Sequence, residues 1–202
     1  MTYRSECGII SVKKIRFDRG ISDMTKEQIL ALAREEGFHG AAVIETASVV
    51  FDSAFRPYCE ENLCGQYGVN YSCPPACGTP EEMAQRVLAY SQALVLRSEC
   101  EVENFTEKEK LQAGKKFHNE ASIRLIGKMR EAGHEGFMIG ASGCSLCKPC
   151  AMSLGEACRF PEKRYSCMSA YCIYVKKLAE DCGLKYDYEN GILPYFGMFV
   201  FR

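Results

Sequence analysis

The stretch "TPEEMAQRVLAYSQALVLRSE", residues 79–99, changes its hydrophobic period midway. Thr79 suits an N-cap, Pro80 the first helical position and Glu82 the third, so the chain is expected to enter a helix here. From Ala93 to Glu99 the pattern becomes a short apolar run of strand length. A helix that passes at once into a strand is the unit from which sheets covered by helices are built, so the expected class is α/β or α+β.

Upstream, "TKEQILALAREEGF" repeats the helical grammar. Thr25 and Gln28 form a capping box, Ile29, Leu30, Leu32 and Ala33 share one face, and Gly37 stops the helix. "AAVIE", 41–45, follows as a buried strand. Downstream, a charged helix is expected from about Thr106 to Ala132, with Leu111, Ile123, Leu125, Ile126 and Met129 on its buried side and Gly133 at its end. "GFMIGA", 136–141, reads as a strand, and residues 167–181 read as a helix carrying Ile173, Val175 and Leu178 and closed by Gly183. "LKYDY", Asn190-Gly191 and "YFGMFVF" suggest a terminal hairpin. The order helix, strand, cysteine segment, helix, strand thus occurs at about 25–98 and again at about 106–188. It raises the idea of an ancient duplication, although the two segments share no residue-level similarity. One domain over residues 1–202 is the simplest organisation, with two packed halves meeting near residue 100 as its variant.

Composition removes several function classes. Lysine and arginine total 25 against 26 aspartates and glutamates, a formal charge of -1. The charges are interspersed, which offers no footprint for nucleic acid or for an anionic membrane surface. The N-terminus "MTYRSECGIISVKKIRF" lacks a secretory pattern, and no segment approaches the roughly 20 apolar residues of a membrane span. The expected compartment is the cytoplasm, where thirteen cysteines serve better as ligands or catalysts than as disulfides.

Those cysteines fall mainly into two segments. "GCSLCKPCAMSLGEACRFPEKR", 143–164, holds Cys144, Cys147, Cys150 and Cys158 as C-x2-C-x2-C-x7-C. Three thiolates at successive i, i+3 positions can wrap a turn around one centre, the local arrangement of a [4Fe-4S] cluster and close to the ferredoxin run C-x2-C-x2-C-x3-C-P. Zinc prefers two separated C-x2-C pairs, so the spacing favours iron-sulfur over zinc. "YCEENLCGQYGVNYSCPPACGTP" holds Cys59, Cys64, Cys73 and Cys77 as C-x4-C-x8-C-x3-C, with Gly65, Gly68, Pro74, Pro75 and Gly78 permitting tight reversals. The eight are the candidate ligands of one or two clusters, with zinc as the alternative cofactor. A silent metal that only ties a loop, or thiols buried as small hydrophobes, are the bland readings.

Of the other cysteines, Cys172 and Cys182 read as core thiols, Cys167 as a core thiol with a spare ligand or reactive thiol as the alternative, and Cys7 and Cys100 carry no spacing argument. Arg56, Lys148, Arg159, Lys163 and Arg164 flank the segments and suit either an anionic cluster or an anionic substrate. His39, His118 and His134 lie away from the thiols and read as structural or exposed. There is no phosphate-binding glycine loop and no nucleophile elbow, and Ser142 has no base partner.

Taken together, C-x4-C-x8-C-P-P, C-x2-C-x2-C-x7-C-R-x-P and a closing "YFGMFVF" resemble a prokaryotic cysteine-rich family described as predicted metal-binding proteins, a domain of unknown function. The resemblance covers about residues 8–202 and rests on Cys59, Cys64, Cys73, Pro74, Pro75, Cys144, Cys147, Cys150, Cys158, Arg159, Pro161 and Arg164. It implies metal binding, iron-sulfur in particular, and brings no known reaction. Cys77, Cys167 and Cys172 are additional to the family pattern.

Two functions follow from the two ways of completing the first segment. With Cys77 as a ligand, both sites are fully coordinated and the role is electron transfer to a partner protein. Without it, one iron stays open to bind a small anionic or sulfur-containing substrate as a Lewis acid. A zinc module for binding another protein is the third class, and the oligomeric state is not readable from the sequence.

Overall fold

The computed structural model describes residues 24–202, so Cys7 and the N-terminal stretch discussed above lie outside the described residues. Helix α1, Lys26–Glu35, starts where the capping box places it: the Gln28 amide donates to Thr25 Oγ1 at 3.3 Å and the Thr25 amide donates to Gln28 Oε1 at 2.7 Å. Strand β1, Gly40–Glu45, follows, then a short helix α2, Arg56–Glu60. Helix α3, Pro80–Leu88, carries the second capping box on Thr79 and Glu82 and leads into β2, Gln92–Glu101. Helix α4 spans Lys108–Glu131, β3 Gly136–Gly140, β4 Ser166–Cys167, α5 Val175–Asp181 and β5 Ile192–Phe201.

The five strands form one mixed sheet in the order β1-β2-β5-β3-β4, antiparallel except for the β3/β4 pair. Alternate residues of the central strands feed two separate cores. Ala93, Val95, Met198 and Val200 meet Met83, Val87, Leu178 and Ala179 from α3 and α5 on one face. On the other, Leu94, Leu96, Phe199 and Phe201 meet Ile29, Leu32, Leu125 and Met129 from α1 and α4. Helices therefore cover both faces, the α/β arrangement expected from residues 79–99, and this explains why β5 is apolar almost throughout and β2 from Ala93 to Leu96. No helix among the described residues is long and apolar enough to cross a membrane.

Four expectations change. β1 is only half-buried because it is the edge strand. Ile123 is 42 % exposed, and the buried side of α4 also takes in Gly114, His118, Asn119, Ala121 and Ser122. The helix expected from 167 begins only at Val175: Ser166 and Cys167 extend the sheet beside β3, and Cys172 takes a left-handed φ of 54° that breaks a helical run. "LKYDY" is not a strand. Asn190 and Gly191 make a tight turn with left-handed φ, but it closes only the Glu189–Ile192 bridge, because β5 has apolar residues for both faces and is buried between β2 and β3. The last strand of the apparent sequence repeat is thus missing.

Candidate metal centre

Parallel pairing puts the C-terminal ends of β3 and β4 side by side, with Gly140 opposite Cys167. Both chains leave the sheet there, and crevices beyond strand C-termini are where α/β sheets place ligands. Asn119 of α4 holds the exit of β3: its Oδ1 accepts from the Ala141 amide at 3.0 Å and its Nδ2 donates to Ser142 Oγ at 2.8 Å. The next residues begin the second cysteine segment.

The first cysteine segment docks onto the second through buried polar groups. Asn70 Nδ2 donates to the Cys144 carbonyl at 3.2 Å, and the Cys144 amide donates to Ser72 Oγ at 2.9 Å. Ser72 in turn donates from its amide and its hydroxyl to Asn70 Oδ1, at 3.0 and 2.9 Å. The Tyr71 hydroxyl donates to the Glu156 carbonyl at 2.8 Å and adds a third tie. Gly143 allows the close approach, since a Cβ there would sit 3.2 Å from Cys73 Sγ and 3.3 Å from Ser72 Oγ. Gly65 and Gly68 adopt left-handed φ of 70° and 72°, so the first segment folds by the reversals expected of it.

Between the segments lies a cavity of about 730 Å³. Its walls carry seven thiols: Cys59, Cys64 and Cys73 from the first segment, Cys144, Cys147 and Cys150 from the second, and Cys167 from the end of β4. Among the described residues, no three His, Cys, Asp or Glu side chains are gathered tightly enough to grip a single ion. The sulfurs are spread over the wall. Cys59 belongs to α2 rather than to a loop. Of the eight candidate ligands, Cys77 and Cys158 do not line the cavity. Cys158 stays within electrostatic reach of Cys144, whereas Cys77 is buried beside Arg56.

Burial sets the electrostatics. It pushes the Cys73 thiol up to about 12, with the charges of Cys167 and Cys64 adding to the rise and the Ser72 hydroxyl opposing it. Burial pushes Cys59 up to about 11, again reinforced by Cys167 and offset by Arg56. Cys144 and Cys167 are raised for the same leading reason. Thiols that are crowded, desolvated and raised in this way are neutral on their own, and a metal cation among them would supply the charge that stabilises thiolates. The soft, all-sulfur donor set fits iron-sulfur or zinc and does not fit magnesium or calcium.

The flanking cations divide. Lys148 lines the cavity, joined by Lys115 of α4. Arg159 pairs with Glu156 at 2.7 Å, Arg164 stands over the Tyr71 ring at 6.0 Å, and Arg56 donates to the Ala170 carbonyl at 3.1 Å. No histidine lines the cavity. His118 and His134 are buried, the former against Ser98 at 2.8 Å, and His39 lies 3.8 Å from Glu99.

Sequence reasoning passed over Asn70, Ser72, Asn119 and Lys115. The only local signal was a polar run, "NYS", immediately before Cys73 in an otherwise Gly- and Pro-rich segment. A family model described as "predicted metal-binding protein (DUF2284)" matches residues 42–201. No curated protein and no solved structure matches the chain.

Proposed function

Because the chain belongs to this family of predicted metal-binding proteins, we propose that it is an iron-sulfur protein whose two cysteine segments carry redox-active metal within one shared cavity. The observation that carries the reading is the meeting of seven thiols from both segments and β4 on that cavity. Iron-sulfur is favoured over zinc by the C-x2-C-x2-C run at Cys144, Cys147 and Cys150, which suits a multinuclear centre better than a tetrahedral ion.

Each part of the wall has a role. Cys144, Cys147 and Cys150, joined by Cys158 from outside the wall, would hold one centre, and Cys59, Cys64 and Cys73 a second. A bound cluster supplies one-electron redox chemistry. Asn70 and Ser72 fix the distance between the two segments, so that metal in one is held near metal in the other. Lys115 and Lys148 offset the negative charge that iron-sulfur centres with four thiolates carry, and amides and hydroxyls near sulfur tune the potential. The electron partner is a second protein or a small molecule that reaches the cavity.

Anaerobic purification followed by iron, acid-labile sulfide and zinc analysis tests the reading. The expected protein is brown, contains iron and sulfide, and bleaches under dithionite. Stoichiometric zinc without iron would contradict it.

A further inference from the structure

The first segment brings three thiols to the cavity and leaves its fourth behind. Cys77 is 3 % exposed and packs with Val49, Met83, Val87 and Ile173 in the core under α3. Its carbonyl accepts from Arg86 at 2.9 Å, and the Arg56 guanidinium lies beside its sulfur. It is a core residue and, unlike Cys59, Cys64 and Cys73, does not line the cavity.

Cys167 lines the same cavity as Cys59, Cys64 and Cys73. The parallel pairing of β4 with β3 sets it opposite Gly140, next to the exit that carries Ala141, Ser142 and Gly143 along the wall shared with Cys73. The Met168 amide donates to the Gly140 carbonyl at 3.2 Å and pins that position, and Ser169 and Ala170 continue the cavity wall beyond it. The four therefore line one cavity, drawn from α2, a loop and the end of a strand.

We propose that Cys167 is the fourth thiolate of the metal site formed by Cys59, Cys64 and Cys73, and that Cys77 is not a ligand. The inference rests on the reading that the cysteine segments bind metal, whichever metal that is. Four protein thiolates leave no coordination position for a substrate, so this site is closed and any reacting molecule must be met elsewhere on the wall.

Differential alkylation of the wild-type protein tests it. The metal-loaded protein and the same protein stripped by a chelator are treated with iodoacetamide, and each cysteine is read by peptide mass spectrometry. Cys59, Cys64, Cys73 and Cys167 are expected to label more slowly when loaded than when stripped, with the rate at Cys77 the same in both. Equal labelling of Cys167 in the two states, or a switch at Cys77 together with the other three, overturns the proposal. Metal analysis of two variants gives the second readout: Cys167→Ala loses the metal of one site, and Cys77→Ala keeps the full complement. Retention of all metal by Cys167→Ala also overturns it. Zinc in place of iron would refute the iron-sulfur reading while leaving both readouts of Cys167 intact, and a chain that takes up no metal refutes both.

Discussion

Asn70 is 4 % exposed and makes four side-chain hydrogen bonds, two of them to Ser72, one to Gln66 and one to the Cys144 carbonyl. Truncation would strand buried partners, at about 1–3 kcal/mol. Asn70→Ala is therefore expected to lose that much unfolding free energy and to give up metal faster on dialysis; unchanged retention would show that the two segments hold metal independently. His118 is the second residue with a measurable signature. Burial alone pushes its imidazolium down from 6.5 to about 3. The folded chain then binds fewer protons than the unfolded chain between those values, so stability is complete above pH 6.5 and falls as pH falls towards 3. The slope from this one group reaches about 1.4 kcal/mol per pH unit. Unfolding free energy measured against pH should show that slope in the wild type and lose it in His118→Gln. At this scale the capping residues Thr25 and Thr79 were legible because their partners are three residues away, whereas Asn70 was not, because its partner Cys144 is 74 residues on.

Helix α4 shows what periodicity conveys and what it omits. Leu125, Ile126 and Met129 are buried as their spacing implies, yet the half of the helix nearer the cavity is buried through Gly114, His118 and Asn119, which no hydrophobic count would select. Gly114 is there for room: a Cβ would lie 2.5 Å from Tyr195 Cε2 and 2.9 Å from Cys100 Sγ. Overpacking of that kind costs about 1–3 kcal/mol, more than the gain of up to about 1 kcal/mol that alanine brings in helix propensity. Gly127, with nothing within 4 Å of the same construction, has the gain without the clash. Chemical denaturation should thus find Gly114→Ala destabilised and Gly127→Ala stabilised; equal effects would place α4 differently on the sheet. The short α5 and the absent "LKYDY" strand were illegible for a related reason. Cys172's left-handed backbone and the pairing of β5 with two distant strands are set by tertiary contacts, which override local pattern.

For the whole molecule, the two hydrophobic cores lie on opposite faces of the sheet and the thiol-lined cavity lies at the end of β3 and β4. The α/β class was readable from the alternation of helix and strand, but the strand order, and with it the neighbourhood of Cys167, was not. Because neither core includes Cys147, Cys150 or Cys158, chelation should lower Tm by removing bound metal while leaving a cooperatively folded chain. Collapse of the far-UV circular dichroism on stripping would instead make metal a condition of folding. The central claim, iron held by sulfur in the cavity between the two segments, is tested most directly by X-ray absorption at the iron edge on anaerobically purified protein. The expected spectrum shows iron surrounded by sulfur with iron neighbours at short range. Iron bound by oxygen or nitrogen without iron neighbours, or a sample holding only zinc, would contradict it.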